Sequence, residues 1–283
     1  MIKEKKSNDF QLVDVENIIR IKNPKILKFL PRFVIRYLKR IIHQDEINKF
    51  ITDNKDNFGL DFVHSYIKTF NVGVNLVGKE NIPSSGKFIF VSNHPLGGME
   101  SMVLMAAISE KFEKQKFMVN DILMYLKNLQ EVFLPINKHG KNPQDYVKQL
   151  DEAFNSDAQI LIFPAGMVSR KIKGKIVDLE WKKSFITSAK KYNRDIIPVY
   201  IEARNSNFFY RLSNIRKMLG IKANIEMLYL VDEMFKQRGN TISLYFGNSI
   251  SIDFFDKSKS AVEWANYVKK IVYNLPKAQR QNN

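Results

Sequence analysis

The residues best suited to chemistry lie in one run, FIFVSNHPLGGMES, from Phe88 to Ser101. An apolar stretch ending at Val91 reads as a buried strand, polar residues and two glycines follow, and a helix-like stretch begins near Met99. His94 then stands just past the carboxyl end of a strand, where open α/β sheets place their ligand sites. Glu100 lies six residues further on, and a turn at Gly97-Gly98 can fold it back onto the imidazole. Such a carboxylate fixes the tautomer of the histidine and stabilises its protonated form, as a general base acting on a hydroxyl requires. The same residues also read as a histidine and a glutamate that merely cap a turn, and the segment alone leaves both readings open.

The elements that must position this run follow from the hydrophobic periodicity. Strand-like stretches fall at 72–77, 87–91, 117–119, 132–136, 160–163, 196–201 and 242–246, separated by helical patterns near 99–112, 120–128, 143–154, 181–191 and 206–218. Strands alternating with helices predict an α/β fold with a largely parallel central sheet flanked by helices. Helical patterns at 45–53 and 61–70 precede the first strand, and an amphipathic stretch at 260–274 closes the chain. At roughly 150 residues per domain, the chain length allows one large α/β domain with an attachment or two modest domains. The change of texture near residue 70 divides the chain into an N-terminal basic amphipathic helical region, 1–70, and an α/β domain, 71–283, that would carry any catalytic site.

Within the N-terminal region, Asn17 to His43 holds eight basic residues and no acid. Its apolar pairs and its basic residues recur at helical spacing on separate faces. Pro24 suits a first helical turn and Pro31 should split the segment, which predicts two short helices. Such a helix can lie in a membrane interface, as a membrane-associating segment, or dock on its own domain with a solvated basic face.

Composition narrows the classes. The net charge of +16 asks for an anionic partner: a membrane surface, an acidic carrier protein or nucleic acid. With no cysteine, disulfides, thiolate metal sites and a cysteine nucleophile are excluded. The histidines, at 43, 64, 94 and 139, are too scattered to suggest a metal site. No G-x-S-x-G elbow, P-loop or G-x-G-x-x-G occurs, so a serine hydrolase of that type and a nucleotide cofactor lack support. The amino terminus lacks a secretory signal pattern and no segment reaches the ~20 apolar residues of a transmembrane helix. The expected location is therefore peripheral, at the cytoplasmic face of a membrane.

The segment around Asn93-His94 resembles the first motif of the glycerolipid acyltransferases, the family that includes lysophosphatidic acid acyltransferases, in which a histidine is followed after four residues by an aspartate. Here five residues intervene and the acid is Glu100, a form similar to a bacterial subgroup labelled haemolysin-like, or lyso-ornithine and related aminolipid acyltransferases. Three further segments resemble the family in the same order. EVFLPINK, 131–138, looks like the second motif, with Asn137 and Lys138 as acceptor-binding candidates. IFPAGMVSR, 162–170, looks like the third, with Gly166 and Ser169 matching, Ala165 in place of a glutamate, and Arg170 two positions late. Ile197-Pro198-Val199 resembles the fourth.

The resemblance implies an O-acyltransferase of membrane lipid biosynthesis in which His94 is the base and Glu100 its orienting partner. The acyl donor is an acyl carrier protein or coenzyme A thioester, the acceptor a lysolipid, and no cofactor is called for. Arg170 and Lys138 would hold an anionic head group, while the altered third motif puts a glycerol phosphate acceptor in doubt. Backbone donors of the Gly97-Gly98 turn are candidates for stabilising the oxyanion. No nucleic acid is expected as a partner. The alternative is a non-catalytic basic protein that binds membrane or nucleic acid, for which steep salt dependence on naked nucleic acid would be diagnostic.

Overall fold

A computed structural model describes residues 12–136 and 143–280. Before the sheet lie α1 (Val15–Lys22), α2 (Pro24–Phe29), α3 (Arg32–Ile41), α4 (Gln44–Asp53) and α5 (Gly59–Thr69). Pro24 begins α2 and Pro31 separates it from α3, because proline tolerates a first turn but removes an interior hydrogen bond. His43, in left-handed conformation, starts α4. Its ring stacks on Phe235 at 3.9 Å and meets Asp232 at 3.1 Å, tying the helices to the far end of the chain.

The strands are β1 (Gly73–Val77), β2 (Phe88–Ser92), β3 (Gln115–Asn120), β4 (Phe133–Ile136), β5 (Gln159–Ile162), β6 (Arg170–Ile172), β7 (Lys175–Val177), β8 (Asp195–Glu202) and β9 (Thr241–Phe246). The remaining helices are α6 (Met99–Ser109), α7 (Pro143–Asn155), α8 (Ser184–Tyr192), α9 (Asn207–Met218), α10 (Leu230–Phe235) and α11 (Ala261–Arg280). Seven strands form one sheet in the order β1-β9-β8-β2-β5-β3-β4, and every neighbouring pair is parallel except β8 with β9. The small β6–β7 hairpin stands apart and was not legible as strand. The expected helix over 120–128 is instead two short 3₁₀ turns, at Asp121–Tyr125 and Lys127–Leu129.

Side chains alternate across the sheet, so β2 feeds two cores. Phe88 and Phe90 join one apolar cluster with Phe62, Val63 and Tyr66 of α5 and Val103 and Leu104 of α6. Ile89 and Val91 join the other, with Phe185 of α8 and Val268 of α11. A central strand with both faces covered has no polar position to spare, which is why β2 and β5 read as unbroken apolar runs. The helices α4 and α5 thus share their core with the sheet that follows them.

Tyr66 is the exception within that core. Its hydroxyl is buried without a hydrogen-bond partner, and burial first and the Glu100 charge second push its ionisation up. Removing an unsatisfied buried hydroxyl relieves a desolvation cost, so Tyr66→Phe is expected to raise the unfolding free energy by about 1 kcal/mol. Denaturant titration of the two proteins measures it.

Candidate active site

The chain leaves β2 at the carboxyl edge of the sheet, and Asn93 locks its exit. The Asn93 side chain donates to the Ile201 carbonyl at 2.9 Å and accepts from the Ile201 N–H at 2.7 Å, completing the β8 edge with an amide in place of backbone. The next residue, His94, is held by its own main chain: its N–H donates to Asp178 Oδ1 at 3.2 Å and its carbonyl accepts from the Ser169 N–H at 2.7 Å. The imidazole stacks on Phe163 at 4.6 Å. Ring and backbone are therefore both fixed, leaving little freedom to lose on binding.

Glu100, in the first turn of α6, is fully buried, and its Oε1 lies 2.8 Å from His94 Nδ1. The same oxygen accepts the N–H groups of Leu96 and Gly97 at 2.9 and 2.7 Å, and Oε2 accepts that of Gly98 at 2.8 Å. Burial alone would push this carboxyl up, but the His94 imidazole and the backbone donors outweigh it and hold the carboxyl below the ordinary glutamate value. An ionised carboxylate only accepts, so Nδ1 carries the ring proton and Nε2 presents its lone pair. The turn requires glycine at 97: its φ is +102°, and a Cβ there would meet Leu230 Cδ1 at 2.9 Å.

The third segment builds the other wall. Gly166, at φ +62°, would place a Cβ 3.1 Å from Lys182 Nζ. Ser169, buried, donates through Oγ to Asp178 Oδ1. Asp178 also accepts Trp181 Nε1–H at 2.8 Å through Oδ2, so one buried carboxylate organises His94, Ser169 and Trp181. Arg170 points inward: it is 2% exposed and its Nη2 pairs with Glu226 at 3.1 Å. Arg216 shares that glutamate, with Nη2 donating to Oε1 at 3.2 Å and Nε lying 2.8 Å from Oε2 as a charge contact without hydrogen-bond alignment. No group of three or more histidine or acidic side chains among the described residues is placed to hold a metal ion.

A family profile described as acyltransferase matches residues 17–280. The chain belongs to the acyltransferase family. It is 48% identical over 265 residues to a lyso-glycine lipid O-acyltransferase of Bacteroides thetaiotaomicron, covering 93% of this chain and 97% of that protein. A protein of the same name from Phocaeicola vulgatus is 46% identical over 93% of this chain and 95% of its own length. The crystal structure of a 1-acyl-sn-glycerophosphate (LPA) acyltransferase from Thermotoga maritima aligns over 92% of this chain and 91% of its own, at 18% identity and a TM-score of 0.43.

The acyltransferase brings His94, Glu100, Ser169 and the Gly166 turn to one end of the sheet. Asn137 and Lys138 lie outside the described residues. Arg170 is turned inward, its guanidinium bonded to Glu226 and to the Val168 carbonyl at 2.6 Å. One expectation is corrected. The N–H groups of the Gly97-Gly98 turn are not free for an oxyanion, because Glu100 occupies them. Sequence reading missed Asp178 and Lys182, which sit in no recognised motif. Asp178 is an isolated acid between a short hairpin and a helix, and nothing in its spacing signals an 84-residue reach to His94.

Proposed function

We propose that this acyltransferase moves a fatty acyl group from an acyl thioester to the hydroxyl of a lyso-glycine lipid, working as a peripheral enzyme at the cytoplasmic face of a membrane. The His94–Glu100 pair carries the chemistry of this reading. Nδ1 is committed to a buried carboxylate, so Nε2 takes the proton of the acceptor hydroxyl as its oxygen attacks the thioester carbon. The carbon–oxygen bond forms, the carbon–sulfur bond breaks, and the imidazolium returns its proton to the leaving thiolate. Glu100 stabilises the imidazolium between the two transfers, and no covalent acyl-enzyme is needed.

The acceptor class rests on the two lyso-glycine lipid O-acyltransferases, whose similarity runs through nearly the whole chain. A glycine acylated on nitrogen keeps a carboxylate and no phosphate. That chemistry suits a site whose third segment has Ala165 in place of a glutamate and whose Arg170 is buried. Lys182 above the Gly166 turn and Lys138 are the cations for that carboxylate. The donor is an acyl carrier protein or coenzyme A thioester; both are acidic and suit the +16 balance.

Acyl thioesters of acyl carrier protein and of coenzyme A, labelled in the acyl chain and each offered with lyso-glycine lipid, lyso-ornithine lipid and lysophosphatidic acid, test the assignment. Transfer to the lyso-glycine lipid is expected to exceed that to lysophosphatidic acid by at least about tenfold in kcat/KM, the worth of one lost charge-assisted contact. Preference for lysophosphatidic acid would overturn it.

A further inference from the structure

The acid-free stretch at the amino terminus has a counterpart late in the chain. Between Glu202 and Glu226 the sequence holds five basic residues and no acid. The segment is α9 with the loop and 3₁₀ turn (Ile225–Tyr229) that follow it. At its tip the apolar residues turn outward: Met218 is 79% exposed and Leu219 63%. Ile215 and Ile221 flank them, exposed, with Lys217 and Lys222 alongside.

The start of this segment and the turn that ends it meet the amino-terminal helices. The Tyr37 hydroxyl of α3 lies 2.7 Å from that of Tyr229, and Tyr229 in turn meets Phe208 of α9 edge-on at 4.9 Å. On the far side of that seam, Phe29 is 85% and Phe33 66% exposed, with Lys28, Arg32 and Arg36 exposed among them. Two stretches almost two hundred positions apart thus present the same chemistry, isolated large apolar side chains set among cations, with no partner among the described residues. Water-facing Phe, Met and Leu set among cations suit an anionic lipid surface, which supplies both the charge and the apolar depth.

We propose that the end of α9 and the loop after it form a second lipid-docking element, which with α2 and α3 seats the enzyme on anionic bilayer. The buried Arg170–Glu226–Arg216 cluster braces it: Arg170 opens β6 directly after the Gly166 turn, Arg216 belongs to α9, and Glu226 lies in the turn beyond. Leu230, next to Tyr229 in the chain, packs on Gly97 of the His94–Glu100 turn, so the turn that follows the docking loop leads to the reacting groups. The proposal rests on the reading of a membrane-borne acceptor, and its test separates the two.

Full-length protein is sedimented with extruded vesicles of phosphatidylglycerol in phosphatidylcholine. Wild type is compared with Met218→Ser/Leu219→Ser and with Phe29→Ser/Phe33→Ser, all exposed positions outside the reacting groups. Each pair is expected to weaken partitioning about tenfold or more, because the apolar part of interfacial binding scales with buried area. Transfer to acceptor dispersed in detergent should keep its rate in the Met218/Leu219 variant. Weakening by the phenylalanine pair alone would overturn the second element and leave membrane association standing. No sedimentation of wild type would sink both. Unchanged sedimentation of the Met218/Leu219 variant with loss of a dimer, or of affinity for acidic carrier protein, would overturn the proposal by assigning the face to a protein.

Discussion

Replacing His94 with alanine is expected to lower the transfer rate about 10³-fold, within the range that a positioned general base contributes. The fold should survive the change. Glu100 keeps its three N–H donors from Leu96, Gly97 and Gly98, and the backbone of residue 94 keeps its bonds to Asp178 and Ser169. Activity and stability therefore separate at this position. Initial rates of labelled acyl transfer, set beside far-ultraviolet circular dichroism of the same preparation, make the comparison; near-normal transfer by folded His94→Ala would refute the base assignment.

At Glu100 the two quantities should fall together. Glu100→Gln keeps the shape but replaces Oε2 with an NH₂ group, which then confronts the Gly98 N–H, donor against donor, in a buried space. It also removes the charge that holds the His94 proton on Nδ1. We expect a loss of about 2–3 kcal/mol of stability, the scale of charge-assisted bonds broken in a buried site. Transfer should drop by about 10²-fold or more. The pH dependence carries a further signature. Because the folded carboxyl is held below the ordinary value of 4.5, its stabilising contribution is fully present above that value and disappears as pH falls through the lower, folded one. Urea titrations at neutral pH and at successively lower pH should show wild type losing an increment of stability that Glu100→Gln lacks. Parallel pH curves for the two proteins would show that the carboxylate contributes nothing through ionisation.

The layered α/β architecture was legible because β2, β5 and β8 are buried on both faces and so carry unbroken apolar runs. The meeting of His94 with Glu100 was legible because both lie within one short turn. What failed to show in the sequence depends on distance. Nothing in the sequence pairs Arg170 with Glu226, 56 residues later, although the fold brings them together. Asp178 looks like a loop acid until it is seen to hold His94, Ser169 and Trp181 together. Helical periodicity likewise overestimated 120–128, where side-chain spacing fits a helix but the backbone tightens into 3₁₀ turns.

The edge pairing of β1 with β9 bears on the order in which the molecule is made. Asn75 of β1 and Ser243 of β9 touch across the ladder although 168 residues separate them. The first strand, whose one sheet neighbour among the described residues is β9, therefore pairs only after most of the chain has been synthesised, and contacts of such long range form slowly. The helices α2 and α3 are likewise made long before Tyr229, to which α3 attaches, is translated. The nascent chain thus carries its basic, apolar helices before it has the strand, turn and acid that make up the His94–Glu100 site.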